Sequence, residues 1–131
     1  MSVSILVVDD EPDVGELFRQ RFRRELRSGT YVLHFALSGH DALSLLSNGV
    51  EPELLVLLSD INMPGMDGLQ LLCEVKRQRP ELPVIIITAY DDEERRRTAD
   101  AFGAAEFLNK PIDFDHLKQR IRAFTPQGPR A

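Results

Sequence analysis

The chain has 131 residues, of which 43% are hydrophobic, and its formal net charge is −5 at pH 7. This length and apolar content predict one globular domain with a proper core, while no apolar stretch is long enough to span a bilayer and no secretory signal is recognisable, so a cytoplasmic location without membrane contact is expected. The acidic balance is opposite to that of a typical nucleic-acid binder, and no direct nucleic-acid binding is expected.

Five short runs rich in β-branched and aliphatic residues predict strands. Three of them, at residues 5–8, 54–58 and 84–87, are continuously apolar instead of alternating. Strands with this pattern are typical of sheets that helices cover on both faces. In chain order, the predicted strands span residues 4–8, 30–36, 54–59, 84–88 and 106–108.

The longer segments between these runs show the apolar periodicity of helices. The two clearest stripes consist of Val14, Leu17, Phe18 and Phe22, and of Phe114, Leu117, Ile121 and Phe124. Pro12 fits a first helical turn, and Asp91 and Asp113 are predicted helix caps. Gly103 fits a helix C-terminus. Cys73, the one cysteine, is predicted to be a small core or boundary residue.

The alternation of five strands with five helices predicts right-handed crossovers and an open parallel sheet. Ligands bind to such sheets beyond the carboxyl ends of the strands. The predicted domain covers residues 1–124. Residues 125–131 follow the final apolar stripe and contain two prolines and a glycine, which predicts a flexible tail or the stub of a linker.

Polar residues lie at the end of four of the predicted strands or just beyond it. Asp9 and Asp10 follow the first strand, and Asp60 follows the third. Thr88 closes the fourth strand, and Lys110 lies just beyond the fifth. Clustered carboxylates without a histidine or cysteine at ligand spacing favour Mg²⁺, and together with a hydroxyl and a lysine they predict phosphoryl-transfer chemistry. Asp60 is the best candidate nucleophile because it stands alone, while Asp9 and Asp10 are better placed to hold metal.

Four motifs carry these residues, and in this order and spacing they resemble the receiver domain of two-component response regulators (CheY-like) over about residues 5–124. The motifs are VVDDEP at 7–12, SDINMPGMDG at 59–68, ITA at 87–89 and FLNKP at 107–111. The resemblance implies a doubly wound (βα)5, flavodoxin-like three-layer sandwich. Its central five-stranded parallel sheet would have the strand order 2-1-3-4-5.

By this resemblance, Asp60 accepts a phosphoryl group from a sensor histidine kinase or a phosphotransfer protein. Mg²⁺, for which Mn²⁺ is a substitute, is expected to be ligated by Asp10, Asp60 and the backbone carbonyl of Asn62. Asp9 is expected to act on the metal mainly through a bound water. Such a protein catalyses only its own phosphorylation and dephosphorylation, so it is not expected to be an enzyme in the usual sense.

The resemblance assigns roles to the remaining site residues as well. Lys110 pairs with the phosphoacceptor and then with the phosphoryl oxygens, and the Ala89 N–H group helps to bind the phosphate. Thr88 moves to donate a hydrogen bond to the phosphate, and Phe107 is the switch aromatic. Phe107 packs inward but lacks the hydroxyl of the tyrosine that is also usual at this position. The peptide bond between Lys110 and Pro111 is expected to be cis.

Asn62 and Tyr90 are predicted to control access to the phosphate, since they lie two residues beyond Asp60 and Thr88. The Asn62 amide can orient an attacking water, whereas the Tyr90 ring is bulky enough to exclude one. Exclusion is expected to prevail, which predicts a long-lived aspartyl phosphate. The alternative is that Tyr90 is an ordinary aromatic residue of a surface loop.

Two other functions stay open, and so does the output. A haloacid-dehalogenase-like phosphohydrolase would carry its nucleophile at the first strand with a second acid two residues on, but Glu11 and Pro12 follow the acidic pair here. A receiver-like scaffold that is never phosphorylated would not need the intact set of site residues. The expected downstream partner is an output domain or a separate protein, with a homodimer through the last helix–strand–helix surface as a further option.

Overall fold

The computed structural model describes residues 2–89 and 92–125. Each strand along these residues is followed by one helix, except the first, which two helices follow. None of the helices described is both long and apolar enough to cross a membrane. The elements are β1 (Val3–Val8), α1 (Pro12–Arg21), α2 (Arg23–Arg27), β2 (Tyr31–Ala36), α3 (Gly39–Asn48), β3 (Leu54–Ser59), α4 (Gly68–Gln78), β4 (Val84–Thr88), α5 (Glu93–Ala101), β5 (Glu106–Asn109) and α6 (Phe114–Phe124).

The five strands form one parallel sheet in the order β2-β1-β3-β4-β5. This confirms the predicted fold. Successive residues of a strand point to opposite faces, so Ile5 and Val7 of β1 enter one core while Leu6 and Val8 enter the other. All four are buried, which accounts for the continuously apolar runs of the sequence.

Helices cover both faces of the sheet and complete three layers. On one face, α1, the residue that follows it and α6 bury the rings of Phe18, Phe22 and Phe114, with centroids 5.2 to 6.2 Å apart. On the other face, α3, α4 and α5 contribute apolar residues such as Leu71 and Ala99 to a separate core. Because the strands are parallel, their carboxyl ends all lie at one edge of the sheet.

Two sequence predictions are wrong in detail. The first apolar stripe does not form one continuous helix, because the backbone at Phe22 (φ −101°, ψ 13°) separates α1 from α2. Residues 2–89 and 92–125 therefore contain six helical segments instead of the five predicted. Phe22 keeps its ring in the core at this turn. Cys73 is exposed, because α4 buries Leu71, Leu72 and Val75 and Cys73 lies off that face of the helix.

Most of the local predictions are confirmed. Pro12 is the first residue of α1, and Asp113 caps α6 by accepting a 3.1 Å hydrogen bond from the His116 N–H group. The cap of α5 is Asp92, one residue after the predicted Asp91, which lies outside the described residues. The Lys110–Pro111 bond is cis as expected, and the Glu51–Pro52 bond, for which no prediction was made, is cis as well.

Candidate functional site

Asp9 and Asp60 extend the hydrogen-bond ladder of the sheet beyond the strands that precede them. The Asp9 N–H group donates to the Ala36 carbonyl at 3.1 Å, and the Asp60 N–H group donates to the Val8 carbonyl at 3.1 Å. Both aspartates are buried, whereas Asp10 is half-buried. The ladder therefore fixes the two buried carboxylates side by side at the carboxyl edge of the two central strands.

The three acidic residues predicted from the sequence converge. One carboxylate oxygen from each of Asp9, Asp10 and Asp60 lies within 4.8 Å of the other two. Backbone donors orient two of these groups: the Glu11 N–H group donates to Asp9 Oδ1 at 3.0 Å, and the Ile61 N–H group donates to Asp60 Oδ1 at 2.6 Å. The second oxygen of each of these two carboxylates is left to face the site.

Lys110 bridges the two buried carboxylates. Its Nζ atom lies 3.0 Å from Asp9 Oδ2 and 3.0 Å from Asp60 Oδ2. Its backbone N–H group donates to the Thr88 carbonyl at 2.9 Å. Burial on its own would lower the pKa of the ammonium, but the hydrogen bonds to Asp60 and Asp9 outweigh it and raise the pKa above its ordinary value. Lys110 is therefore held charged within the site.

The fourth strand supplies the hydroxyl. Thr88 is fully buried at the end of β4, where it pairs in register with Asn109 of β5, and the exposed Ala89 follows it. The strand therefore brings Thr88 and Ala89 to the same edge of the sheet as the carboxylates. Tyr90, predicted to control phosphate access, lies outside the described residues.

The loop after β3 carries Asn62 past the site and then turns into α4. Ile61 and Met63 are buried on either side of the exposed Asn62, and Asp67 caps α4 in a reciprocal arrangement with Gln70. Two buried anchors therefore fix the backbone of this loop. Asn62 lies between them, two residues beyond Asp60.

Phe107 lies half-buried on β5, where its side chain packs against the core that α3, α4 and α5 share. The Arg96 guanidinium lies over the Phe107 ring, 4.5 Å from its centroid, and donates a 3.5 Å hydrogen bond to the Phe107 carbonyl. Phe107 thus sits beneath a cation of α5. This contact is an addition to the predicted inward packing of the ring.

The donor set of the site fits a hard divalent cation. Three carboxylates and one ammonium leave two negative charges uncompensated, and all the available ligand atoms are oxygens. Such a set suits Mg²⁺, which prefers carboxylates and water. Asp9, Asp10 and Asp60 are the groups at the strand ends that could hold the ion.

Sequence reasoning missed three residues next to the site. Arg95 donates a 3.5 Å hydrogen bond from Nη1 to the side-chain oxygen of Asn62, and Arg96 covers Phe107 as described above. Gly68 packs against the backbone of Asp60. Of the three, Gly68 is part of the motif at 59–68, whereas the arginines contact residues that are distant along the chain.

Comparison with known proteins gives one consistent result. Residues 5–122 match the family model of the response regulator receiver domain. The chain is 36% identical over 123 residues to the response regulator MprA of Mycobacterium ulcerans, covering 94% of this chain and 50% of that protein. It is 35% identical over 119 residues to the transcriptional regulatory protein ZraR of Salmonella typhimurium, covering 91% of this chain and 25% of that protein. The chain therefore spans at most about half the length of these relatives.

Solved structures resemble the fold over nearly its whole length. The response regulator TrrA of Thermotoga maritima, solved in complex with Mg²⁺–BeF, has a TM-score of 0.77 and 31% identity, covering 93% of this chain and 98% of that chain. A response regulator receiver domain protein of Clostridium thermocellum has a TM-score of 0.82 and 26% identity, with 93% of both chains covered. These neighbours agree with the parallel sheet and its strand order.

Proposed function

Because the chain belongs to the response regulator receiver domain family, the phosphorylation-dependent switches of two-component signalling, we propose that Asp60 is the residue that accepts the phosphoryl group. The observation that carries this proposal is the contact of Asp60 with Lys110 at the carboxyl end of the central strand β3. Asp60 also stands at the family's motif position for the acceptor. The haloacid-dehalogenase and scaffold alternatives are not favoured by the family match.

The donor would be the phosphohistidine of a sensor kinase or of a phosphotransfer protein. In the transfer, a carboxylate oxygen of Asp60 forms a bond to phosphorus while the P–N bond to the donor breaks, and its electron pair stays on the imidazole. Asp60 Oδ1 accepts a hydrogen bond from the Ile61 N–H group, so Oδ2 is the better placed nucleophile. Lys110, already in contact with Oδ2, would follow the developing charge onto the phosphoryl oxygens.

The acidic residues would hold the cation that this transfer needs. Asp10, Asp60 and the backbone carbonyl of Asn62 would be ligands, and Asp9, which already contacts Lys110, would act mainly through a bound water. Mg²⁺, when bound, supplies positive charge that offsets the charge on the transferring oxygens. The complex of TrrA with Mg²⁺–BeF supports this assignment, since TrrA shares the fold.

The switch would act through β4 and β5. A phosphoryl group on Asp60 gives Thr88 and the Ala89 N–H group a new anionic acceptor, and a shift of Thr88 would open space for Phe107. The surface that changes would be α5, β5 and α6. An output domain, a separate protein or a second copy of the chain would bind this surface. The name of ZraR, a transcriptional regulatory protein much longer than this chain, fits an output domain in transcription.

Phosphorylation in vitro tests the acceptor directly. With Mg²⁺ and a small phosphodonor such as acetyl phosphate, the chain is expected to gain one acid-stable, base-labile phosphoryl group, detected by intact mass. Asp60→Asn is expected to abolish the label, and Asp41→Asn, on an exposed residue of α3, serves as the matched control. Labelling of Asp60→Asn at the wild-type level would assign the acceptor to another residue. Turnover of phosphate esters would support the phosphohydrolase instead.

A further inference from the structure

Arg95 connects the first turns of α5 to the loop that follows the proposed phosphoacceptor. Its guanidinium donates to the Asn62 side-chain oxygen at 3.5 Å, across 33 residues of sequence. Asn62 lies two residues beyond Asp60 in the loop that follows β3 and is exposed, whereas Arg95 is half-buried. A cation of α5 therefore holds the one side-chain amide that directly follows the acceptor strand.

The neighbouring arginines of α5 are engaged elsewhere. Arg96 lies over the ring of Phe107, and Arg97 pairs with Glu93 at 3.7 Å on the exposed side of the helix. Successive helical residues point about 100° apart, so three arginines in a row face three directions. Among the contacts described for these three, that of Arg95 leads to the loop after Asp60.

The chemistry of the two groups fixes the orientation of the amide. A guanidinium has only donors, so Asn62 must turn its carbonyl oxygen, and not its NH₂ group, toward Arg95. The contact occupies one of the two lone pairs of that oxygen, and the positive charge weakens the oxygen as an acceptor for any further hydrogen bond. The free part of the amide is then the NH₂ group, which only donates.

Hydrolysis of an aspartyl phosphate needs an acceptor for the attacking water. The water oxygen forms a bond to phosphorus with one of its lone pairs, the bond from phosphorus to the Asp60 oxygen breaks with its electron pair returning to the carboxylate, and the water's proton passes to the phosphate released. An acceptor that takes a hydrogen of the water leaves its lone pair free for attack. A donor binds that lone pair and opposes the reaction.

We propose that Arg95 is a positioning residue that prolongs the phosphorylated state, because it withholds the Asn62 carbonyl oxygen from the hydrolytic water. The inference rests on Asp60 as phosphoacceptor. It gives α5 a direct part in the timing of the signal, in addition to its place on the proposed output surface. Breaking the contact between Arg95 and Asn62 would free the oxygen, let it orient the water and shorten the phosphoryl lifetime.

The experiment is a double-mutant cycle on the first-order decay of phosphorylated protein after removal of the donor. Arg95→Ala is expected to decay about two- to tenfold faster than wild type, the factor that corresponds to one net hydrogen bond. Arg95→Lys keeps a cationic donor and is expected to retain most of the wild-type lifetime. Asn62→Ala keeps the backbone carbonyl, and adding Arg95→Ala to it is expected to change nothing further.

The matched control is Arg97→Ala, which removes an arginine of the same helix and is expected to decay like wild type. Equal decay of Arg95→Ala and wild type, slower decay, or the same acceleration in the Asn62→Ala background would overturn the proposal. Failure of the phosphoacceptor assignment is a separate result, since it would show as missing label in wild type or as persistent label in Asp60→Asn. Unchanged thermal midpoints across the series would exclude a loss of folding as the cause.

Discussion

A Cβ atom on Gly68 would lie 2.0 Å from the carbonyl oxygen of Asp60 and 2.8 Å from the Cα atom of Ile61. Gly68 is the first residue of α4, and its N–H group donates a 2.8 Å hydrogen bond to the Ile61 carbonyl. The helix therefore begins in direct backbone contact with the end of the strand that carries the proposed acceptor. Glycine is needed here for the close approach of two backbones and not for an unusual φ angle.

Gly68→Ala is expected to destabilise the fold and to slow phosphorylation of Asp60. The clash is with backbone atoms, which cannot rotate away, so the start of α4 must move off the acceptor strand. The expected loss is about 1–3 kcal/mol in the free energy of unfolding, as for other overpacked sites. Urea unfolding and the rate of labelling by acetyl phosphate measure the two effects. A variant with wild-type values in both would show that the loop yields without cost.

Gly15→Ala is the matched control and has the opposite expected sign. Gly15 lies within α1, and the nearest atom to an added Cβ is in the ring of Phe35, at 3.4 Å. Alanine there fits without a clash and removes the entropic cost of glycine in a helix, which is expected to stabilise the fold by about 0.5–1 kcal/mol. Loss of stability in both variants would mean that the clash with Asp60 is not the cause.

Asp10→Ala is expected to remove most of the Mg²⁺ response of the protein. Asp9 and Asp60 already share Lys110, so Asp10 is the half-buried carboxylate of the cluster that Lys110 does not bridge. We expect at least a tenfold rise in the Mg²⁺ dissociation constant. Even the loss of a residue that only hydrogen-bonds to a metal ligand lowers metal affinity about 10–100-fold. Calorimetric titration measures it, with Asp13→Ala in the exposed first turn of α1 as control. Equal affinity in the Asp10 variant would place the metal elsewhere.

Local patterns predicted much of the fold because each of them has a local cause. The continuously apolar strands report burial on both faces of the sheet, and Asp113 caps α6 by a bond to a residue three positions away. The convergence of Asp9, Asp60 and Lys110 also followed from sequence, because parallel strands end at one edge. These features depend on neighbours in sequence or on the topology alone.

The features that escaped prediction depend on contacts between residues that are far apart in the sequence. Asp9, and not Asp10, shares Lys110 with Asp60, because alternate residues leave a strand end in opposite directions and the register of β1 decides which one faces inward. The contact of Arg95 with Asn62 joins two elements that approach only in the folded chain. Each of these outcomes required the three-dimensional arrangement of the strands and helices.

A phosphate mimic is expected to change hydrogen exchange across residues 88–112. Thr88 is fully buried, and Phe107 is half-buried under Arg96. A new anion at Asp60 would attract the Thr88 hydroxyl, and the Phe107 ring would repack. The expected result with Mg²⁺ and beryllofluoride is altered protection in β4, α5 and β5, with α3 unchanged as the internal control. Identical protection of residues 88–112 with and without the mimic would contradict the switch.

Alkaline pH is expected to destabilise the fold through Lys110 and Tyr31. The pKa of Lys110 is raised because its hydrogen bonds to Asp60 and Asp9 outweigh the burial that would lower it. The pKa of Tyr31 is raised chiefly by burial, against the lowering effect of its hydrogen bond with Thr125. Both groups therefore bind their proton more tightly in the folded state than in the unfolded state.

The sign of the pH dependence follows from this difference. Below the ordinary pKa values of lysine and tyrosine, about 10, both groups are protonated in both states, and their contribution to stability is fully present. As pH rises through the raised values, the unfolded chain loses its protons first, so the free energy of unfolding falls. Urea midpoints measured between about pH 8 and 11 are expected to fall more steeply in wild type than in Lys110→Met or Tyr31→Phe, because methionine and phenylalanine have no proton to lose over this range. Slopes as steep in both variants as in wild type would assign the alkaline transition to other groups.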